Sequence, residues 1–268
     1  MRPKKSLGQN FLTSAQIARD IVEAGDVTAD DIILEIGPGK GILTKDLLTF
    51  AGKVVAIEKD SELVSYLNVK FSKEISSGKL EILEKDILDF DPKIMGFYEL
   101  GYKVIANIPY YITGQILRQF LESDCQPISM VLMLQKEVAE RIMGGKKTQK
   151  KRKESILSIS VQAYGNPQII KTVKAGSFFP KPKVDSAILL IEDISKDFFS
   201  KFSEGDFFKT LKTGFKSKRK KLLGNLSAIF ERKHLGEVFQ ALGINENTRA
   251  EDLPLYDWKQ LVSNLLKN

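Results

Sequence analysis

The chain has 268 residues, 43% hydrophobic and 28% charged, with a net charge of +7; this suits a globular protein with one large domain and a small one, and excludes a disordered or fibrous chain. A single cysteine, Cys125, excludes an internal disulfide, a single histidine, His234, argues against histidine or zinc chemistry, and no run approaches the roughly 18 apolar residues that span a bilayer. The positive charge favours polyanionic partners, and the basic start MRPKKSLGQNFL is followed by no apolar stretch of signal-peptide type, so the expected compartment is the cytoplasm.

From residue 32 short β-rich runs alternate with helical stretches. IILEI (32–36), KVVAIE (53–58), KLEILEKD (79–86), KVIAN (103–107) and SMVLML (129–134) read as strands, with helices expected over 42–50, 60–73, 113–123 and 135–143. Such alternation builds right-handed βαβ units and a parallel sheet covered on both faces. A helix near 154–164 and a strand near 168–174 follow, then SFFPKPKVDS and the apolar strand AILLIED. With no helix between them, those last two strands are expected to form an antiparallel pair at the sheet edge, as in seven-stranded class I methyltransferase sheets. Beyond about 196 the β signal ends, and 206–267 reads as short helices such as KKLLGNLSAIF and YDWKQLVSNLL. The expected fold is α/β: a Rossmann-like, doubly wound seven-stranded sheet over 1–194 and a small all-helical domain over 195–268.

LEIGPGKG (34–41) follows the first strand and opens a helix, where glycines allow backbone angles closed to other residues and close approach of a ligand. The spacing matches neither the dinucleotide fingerprint G-x-G-x-x-G nor a Walker loop. Polar residues recur at the following strand ends: Glu58 after the second, Asp86 after the third, Asn107 after the fourth. In an open parallel sheet these ends share one edge with Gly37, at the crevice where ligands bind. Glu58 can accept two hydrogen bonds from a ribose diol and Asp86 one from an adenine amine. The plainer alternative makes such acids helix caps, a role that suits Asp60 in any case.

VIANIPYY (104–111) ends a strand on an amide and bends through a proline onto two tyrosines. If the crevice holds S-adenosylmethionine, methyl transfer needs alignment rather than a strong base. Hydrogen bonds from an adenine amine to the Asn107 side-chain oxygen and the Ile108 carbonyl would favour a pyramidal nitrogen with its lone pair aimed at the methyl group. Pro109 would fix the bend and Tyr110 would stack on the base, as aromatic side chains do for single-stranded nucleic acids. Phe178 or Phe179 would supply the opposite wall, and the other would be core.

SLGQNFL, LEIGPGKGILT, IEKD, NIPYYI and FFPKPKVDSA, in this order and over nearly the whole chain, resemble the ribosomal RNA adenine dimethyltransferases. The resemblance implies S-adenosylmethionine as methyl donor without a metal. It implies that Asn10 and Leu12 line the methionine end, Gly37 lies beneath it, Glu58 holds the ribose and Asp86 the adenine. Asn107 would border both cofactor and target, holding the target amine with the Ile108 carbonyl, and Tyr110 and Phe178 would sandwich the base; the family's F-x-P-x-P-x-V pattern starts at Phe178. Two branches share these motifs, one dimethylating two adjacent adenosines in the 3′-terminal hairpin of small-subunit rRNA, the other methylating large-subunit rRNA to confer macrolide resistance. FKSKRKKLLGNL and LGINENTRAEDL resemble the tail of the bacterial small-subunit enzyme.

The implied partners are small-subunit rRNA and the pre-ribosomal small subunit, met by a monomer with no membrane. Two basic runs without acids are the candidate phosphate contacts, Lys146, Lys147, Lys150, Lys151, Arg152 and Lys153 in the first and Lys218, Arg219, Lys220 and Lys221 in the second. The first run departs from the family pattern in its richness in lysine. A non-catalytic assembly factor with the same fold is the rival reading, opposed by the intact Glu58, Asp86 and Asn107-Ile108-Pro109-Tyr110. A nicotinamide-dependent oxidoreductase lacks its glycine spacing.

Overall fold

The computed structural model describes residues 3–4, 7–145 and 153–267. In chain order the strands are β1 (Phe11–Leu12), β2 (Ile32–Ile36), β3 (Lys53–Glu58), β4 (Leu80–Glu84), β5 (Lys103–Asn107), β6 (Ser129–Gln135), β7 (Asn166–Val173), β8 (Phe178–Phe179) and β9 (Ser186–Glu192). The helices are α1 (Ala15–Ala24), α2 (Ile42–Phe50), α3 (Ser61–Lys70), α4 (Ser72–Ser76), α5 (Thr113–Leu121), α6 (Lys136–Met143), α7 (Ile156–Tyr164), α8 (Glu204–Gly214), α9 (Leu222–Leu226), α10 (Arg232–Ala241) and α11 (Leu255–Leu265). None of them is long and apolar enough to cross a membrane. The chain forms two compact units, Met1–Glu140 with Asn166–Ile194, and Arg141–Gly165 with Ser195–Asn268. The second unit includes α7, which precedes the division at 194 read from the sequence.

The first unit is built on a seven-stranded sheet in the order β4-β3-β2-β5-β6-β9-β7. β2 to β6 are parallel, whereas β9 runs antiparallel to both β6 and β7, so the closing pair lies at the edge as expected. β6 is buried from Ser129 to Leu134, the mark of a strand covered on both faces. On one face lie α1 and α2. The Ser14 hydroxyl caps α1 by accepting from the Ile17 N–H, and Ile17, Ala18, Ile21 and Val22 recur at helical spacing to join Leu43, Leu47, Ile105 and Val131 in one core. Each such aliphatic side chain contributes roughly 1.5–3 kcal/mol by leaving water. Asp60 caps α3 by accepting from the Glu62 N–H at 3.1 Å.

β2 has β3 on one side and β5 on the other, so the winding reverses here. A crevice opens at such a switch point beyond the carboxyl ends of the strands. Separately, β1 and β8 form a two-residue antiparallel ribbon, Phe11 opposite Phe179 and Leu12 opposite Phe178.

The second unit is helical among its described residues. α7 begins at a reciprocal Ser155–Ser158 capping box and ends at Tyr164, whose ring packs on Phe199 and Phe208. Trp258, fully buried, stacks on Phe215 and presses against Gly214, where a Cβ would lie 2.5 Å from the indole. The Asn225 amide donates to the carbonyls of Gly214 (2.6 Å) and Ser217 (3.1 Å), fixing the turn that leads into Lys218.

Candidate active site

The turn after β2 owes its shape to three left-handed residues, Gly37, Gly39 and Gly41, with φ of 66°, 57° and 71°. At Gly41 a Cβ would also lie 2.5 Å from the Phe71 ring, so glycine is required twice over. Glu58, at the end of β3, ties this turn down. Its Oε2 accepts from the Gly39 N–H at 3.2 Å and its Oε1 from the Asp60 N–H at 3.0 Å. Burial raises its pKa, opposed by those two N–H groups. Each oxygen keeps a second acceptor site.

Asp86 follows β4. Its Oδ1 accepts from the Leu88 N–H at 3.0 Å and its Oδ2 pairs with the Lys59 ammonium at 2.5 Å. The Lys59 hydrogen bond, helped by that N–H, holds the carboxyl below the usual carboxylate range. Asn107 ends β5 and donates through Nδ2 to the Asn10 carbonyl at 3.2 Å, leaving its amide oxygen without a donor among the described residues. Ile108 and Pro109 turn the chain into a single 3-10 turn at Tyr110–Ile112. The Tyr110 hydroxyl shares a 2.7 Å hydrogen bond with the Ser186 hydroxyl, and burial raises its pKa.

These elements enclose a cleft of about 1000 Å³, part of it open to solvent. Asn10, Leu12, Gly37, Glu58, Asp86, Asn107, Ile108, Pro109 and Tyr110 all line it. Phe178 does not. It is 4% exposed and belongs to the core that holds Leu12, Ile17 and Ile188, while Phe179 is 58% exposed. Successive side chains of a strand point to opposite faces, and β8 sends Phe178 inward.

The cleft also contains residues that the sequence reading passed over. Glu35, the one charged residue in the apolar strand β2, is 1% exposed, lines the cleft and has an Oε2 with no hydrogen-bond partner. Burial pushes its carboxyl up to about 8, with the buried Glu58 adding to the effect. An acid two residues before a glycine turn, inside an otherwise apolar strand, was its visible signal. The second omission is a latch. Lys4 Nζ bonds Asp60 Oδ1 at 2.7 Å and the Gln9 amide bonds Asp60 Oδ2 at 3.0 Å, so the cap of α3 also holds the N-terminal strap along which Leu7 to Leu12 line the cleft.

Of the basic runs, Lys146, Lys147, Lys150, Lys151 and Arg152 lie outside the described residues. Lys153, expected to contact phosphate, is exposed and pairs with Glu251 and, at 3.8 Å, with Asp252. Lys218, Arg219, Lys220 and Lys221 are all exposed.

The ribosomal RNA adenine dimethylase family profile matches residues 1–267. A ribosomal RNA small subunit methyltransferase A of Dehalococcoides mccartyi is 38% identical over 263 residues, 97% of this chain and 88% of that protein. One of the same description from Lactobacillus johnsonii is 37% identical, covering 100% of this chain and 92% of that protein. Among solved structures, a dimethyladenosine transferase from Plasmodium falciparum superposes with a TM-score of 0.79 at 26% identity, covering 94% of this chain and 95% of that one. The 23S rRNA methyltransferase ErmE gives a TM-score of 0.76 at 22% identity over 96% of this chain and 100% of its own, a likeness of fold.

Proposed function

The chain belongs to the ribosomal RNA adenine dimethylase family, and we propose that its cleft dimethylates the exocyclic amines of two adjacent adenosines in the 3′-terminal hairpin of small-subunit rRNA, with S-adenosylmethionine as methyl donor. The residues present fit that cofactor. The glycines at 37, 39 and 41 would admit its methionine end beside Asn10 and Leu12, and the orphaned Glu35 Oε2 would be an acceptor suited to an ammonium. Glu58, whose oxygens accept from the Gly39 and Asp60 N–H groups, would hold the ribose, and Asp86, kept ionised by Lys59, would accept from the adenine amine. When bound, the group supplies an electrophilic methyl on a sulfonium.

The chain's own part is to position the nucleophile. The observation that carries the reading is the Asn107 amide, whose N–H is engaged by the Asn10 carbonyl so that its oxygen remains to accept from an incoming amine. That bond and a second to the Ile108 carbonyl draw the two amine hydrogens to one side and leave the lone pair on the other. Pro109 holds this geometry, and Tyr110, anchored through its hydroxyl to Ser186, offers its ring to the base. The methylated amine then sheds its proton to water, so no general base is required. Lys218, Arg219, Lys220 and Lys221 on the helical unit grip phosphates without reading sequence. The setting that matches this activity is a cytoplasmic monomer acting on pre-ribosomal small subunits.

The test is transfer of labelled methyl from S-adenosylmethionine to unmethylated small subunits and, in parallel, to naked large-subunit rRNA, followed by mapping of the modified base. Label confined to adjacent adenines near the small-subunit 3′ end supports the reading. Label on large-subunit RNA, or none despite tight binding of cofactor and RNA, overturns it.

A further inference from the structure

One aromatic doublet lines the cleft and a second lies across the ribbon from the cleft-lining Phe11, and each divides its rings the same way. In Tyr110-Tyr111 the first ring is half-buried and hydrogen-bonded to Ser186, while Tyr111 lines the cleft and is 63% exposed. In Phe178-Phe179 the first ring is core and the second is 58% exposed. Single exposed aromatics are ordinary on protein surfaces, but these two border the same strap. Gly8, with φ of 61°, approaches Tyr111 so closely that a Cβ there would lie 2.9 Å from the ring. Phe179 pairs with Phe11 across the β1–β8 ribbon. Two residues separate Gly8 from Phe11, a span of at most about 11 Å of extended chain.

Several cations lie near these rings. Lys40, Lys85 and the Asp86-paired Lys59 line the cleft, and Lys40 lies over the Phe11 ring at 5.2 Å. Lys174, which pairs with Asp185, and Lys181 and Lys183 are exposed on either side of Phe179 in the chain. Exposed rings among cations are how proteins bind single-stranded nucleic acid. A strand that flips one base out of its stack leaves each neighbouring base with an unstacked face, and an exposed ring at the mouth of the cleft replaces the lost partner.

We propose that Tyr111 and Phe179 are stacking platforms for the nucleotides on either side of the adenosine in the cleft, so that the RNA strand is held across the N-terminal strap. The proposal rests on the base-binding reading of the cleft given above. Because such contacts form in the ground state and persist to the transition state, their loss raises KM for RNA and leaves kcat in place.

The experiment measures methyl transfer to unmethylated small subunits by the full chain carrying Tyr111→Ala, Phe179→Ala, both, Tyr111→Phe or Phe179→Trp. Each alanine is expected to raise KM for RNA about five-fold or more, the pair roughly multiplicatively. KM for S-adenosylmethionine should hold, and Tyr111→Phe and Phe179→Trp should stay near the unsubstituted value because only a π-face is needed. An unchanged KM in the double variant overturns the proposal, as does a Tyr111→Phe variant as impaired as the alanine. Phe179 is exposed, so its alanine variant carries the test even if Tyr111→Ala disturbs packing on Gly8. Asn107→Ala separates the two readings. If it turns over normally the cleft assignment fails, whereas a dead Asn107→Ala beside a normal double variant removes the platforms alone.

Discussion

Replacing Glu35 by glutamine should make the protein's stability much less dependent on pH. The carboxyl moves from an ordinary 4.5 to about 8 on folding, chiefly because burial disfavours its charge. A carboxyl raised in the folded state favours folding most when protonated. Its contribution is therefore complete below the unfolded value, declines as pH rises, and is gone above the folded value. A change from 4.5 to about 8 corresponds to roughly 5 kcal/mol of proton-linked stability, a large share of the 5–15 kcal/mol typical of a folded domain. Glutamine keeps the shape without the ionisation. Glu35→Gln and the unsubstituted protein should thus be similar near pH 5, with the variant ahead by several kcal/mol near pH 8.5. Urea titrations at the two pH values read by far-UV circular dichroism suit this test, because the one tryptophan, Trp258, belongs to the helical unit and does not report on the sheet. Burial also raises Glu58, and because the two carboxyls repel, part of the difference between the proteins reports their coupling. Stability curves that stay parallel between pH 5 and 8.5 would refute the argument.

Asn107→Ala should reduce methyl transfer about 100-fold or more while cofactor affinity by calorimetry changes little, since it removes the acceptor that aligns the amine. Changing Lys218, Arg219, Lys220 and Lys221 together to glutamine should weaken RNA binding and flatten the log-log salt dependence by about 3, measured by filter binding across a salt series. Gly41→Ala places a methyl 2.5 Å from Phe71 at a φ of 71° and should cost about 2–4 kcal/mol, visible in the denaturation midpoint.

The sheet was legible because its strands are continuous apolar runs separated by helical spacing, and 32–36, 53–58 and 103–107 emerged with the ends read from the sequence. The cleft followed from one rule, that polar residues at the carboxyl ends of parallel strands share an edge. Features that depend on distant pairing stayed hidden. β1 and β8 have two residues each, too few to show any period, so nothing local announced which phenylalanine would turn inward. α1 was missed although Ser14 and the spacing of Ile17, Ile21 and Val22 were there to be read. Glu35 was legible as the lone acid in an apolar strand but was passed over in favour of the polar residues at the strand ends. The association of 141–165 with the C-terminal helices is a matter of three-dimensional packing that no linear pass along the chain reveals.

The β1–β8 ribbon has a consequence for the birth of the protein. Thr13 and Ser177, which extend the ribbon by a hydrogen bond of 2.9 Å, are 164 residues apart. At ordinary elongation rates the strap leaves the ribosome on the order of 10–30 s before the segment that clasps it. For that interval the nascent chain has its glycine turn, its central strands and the Lys4 and Gln9 latch on Asp60, but the strap lacks its ribbon partner. The second fastening of the strap is thus deferred until most of the chain has been synthesised, and fragments ending before residue 177 should hold the strap by the latch alone.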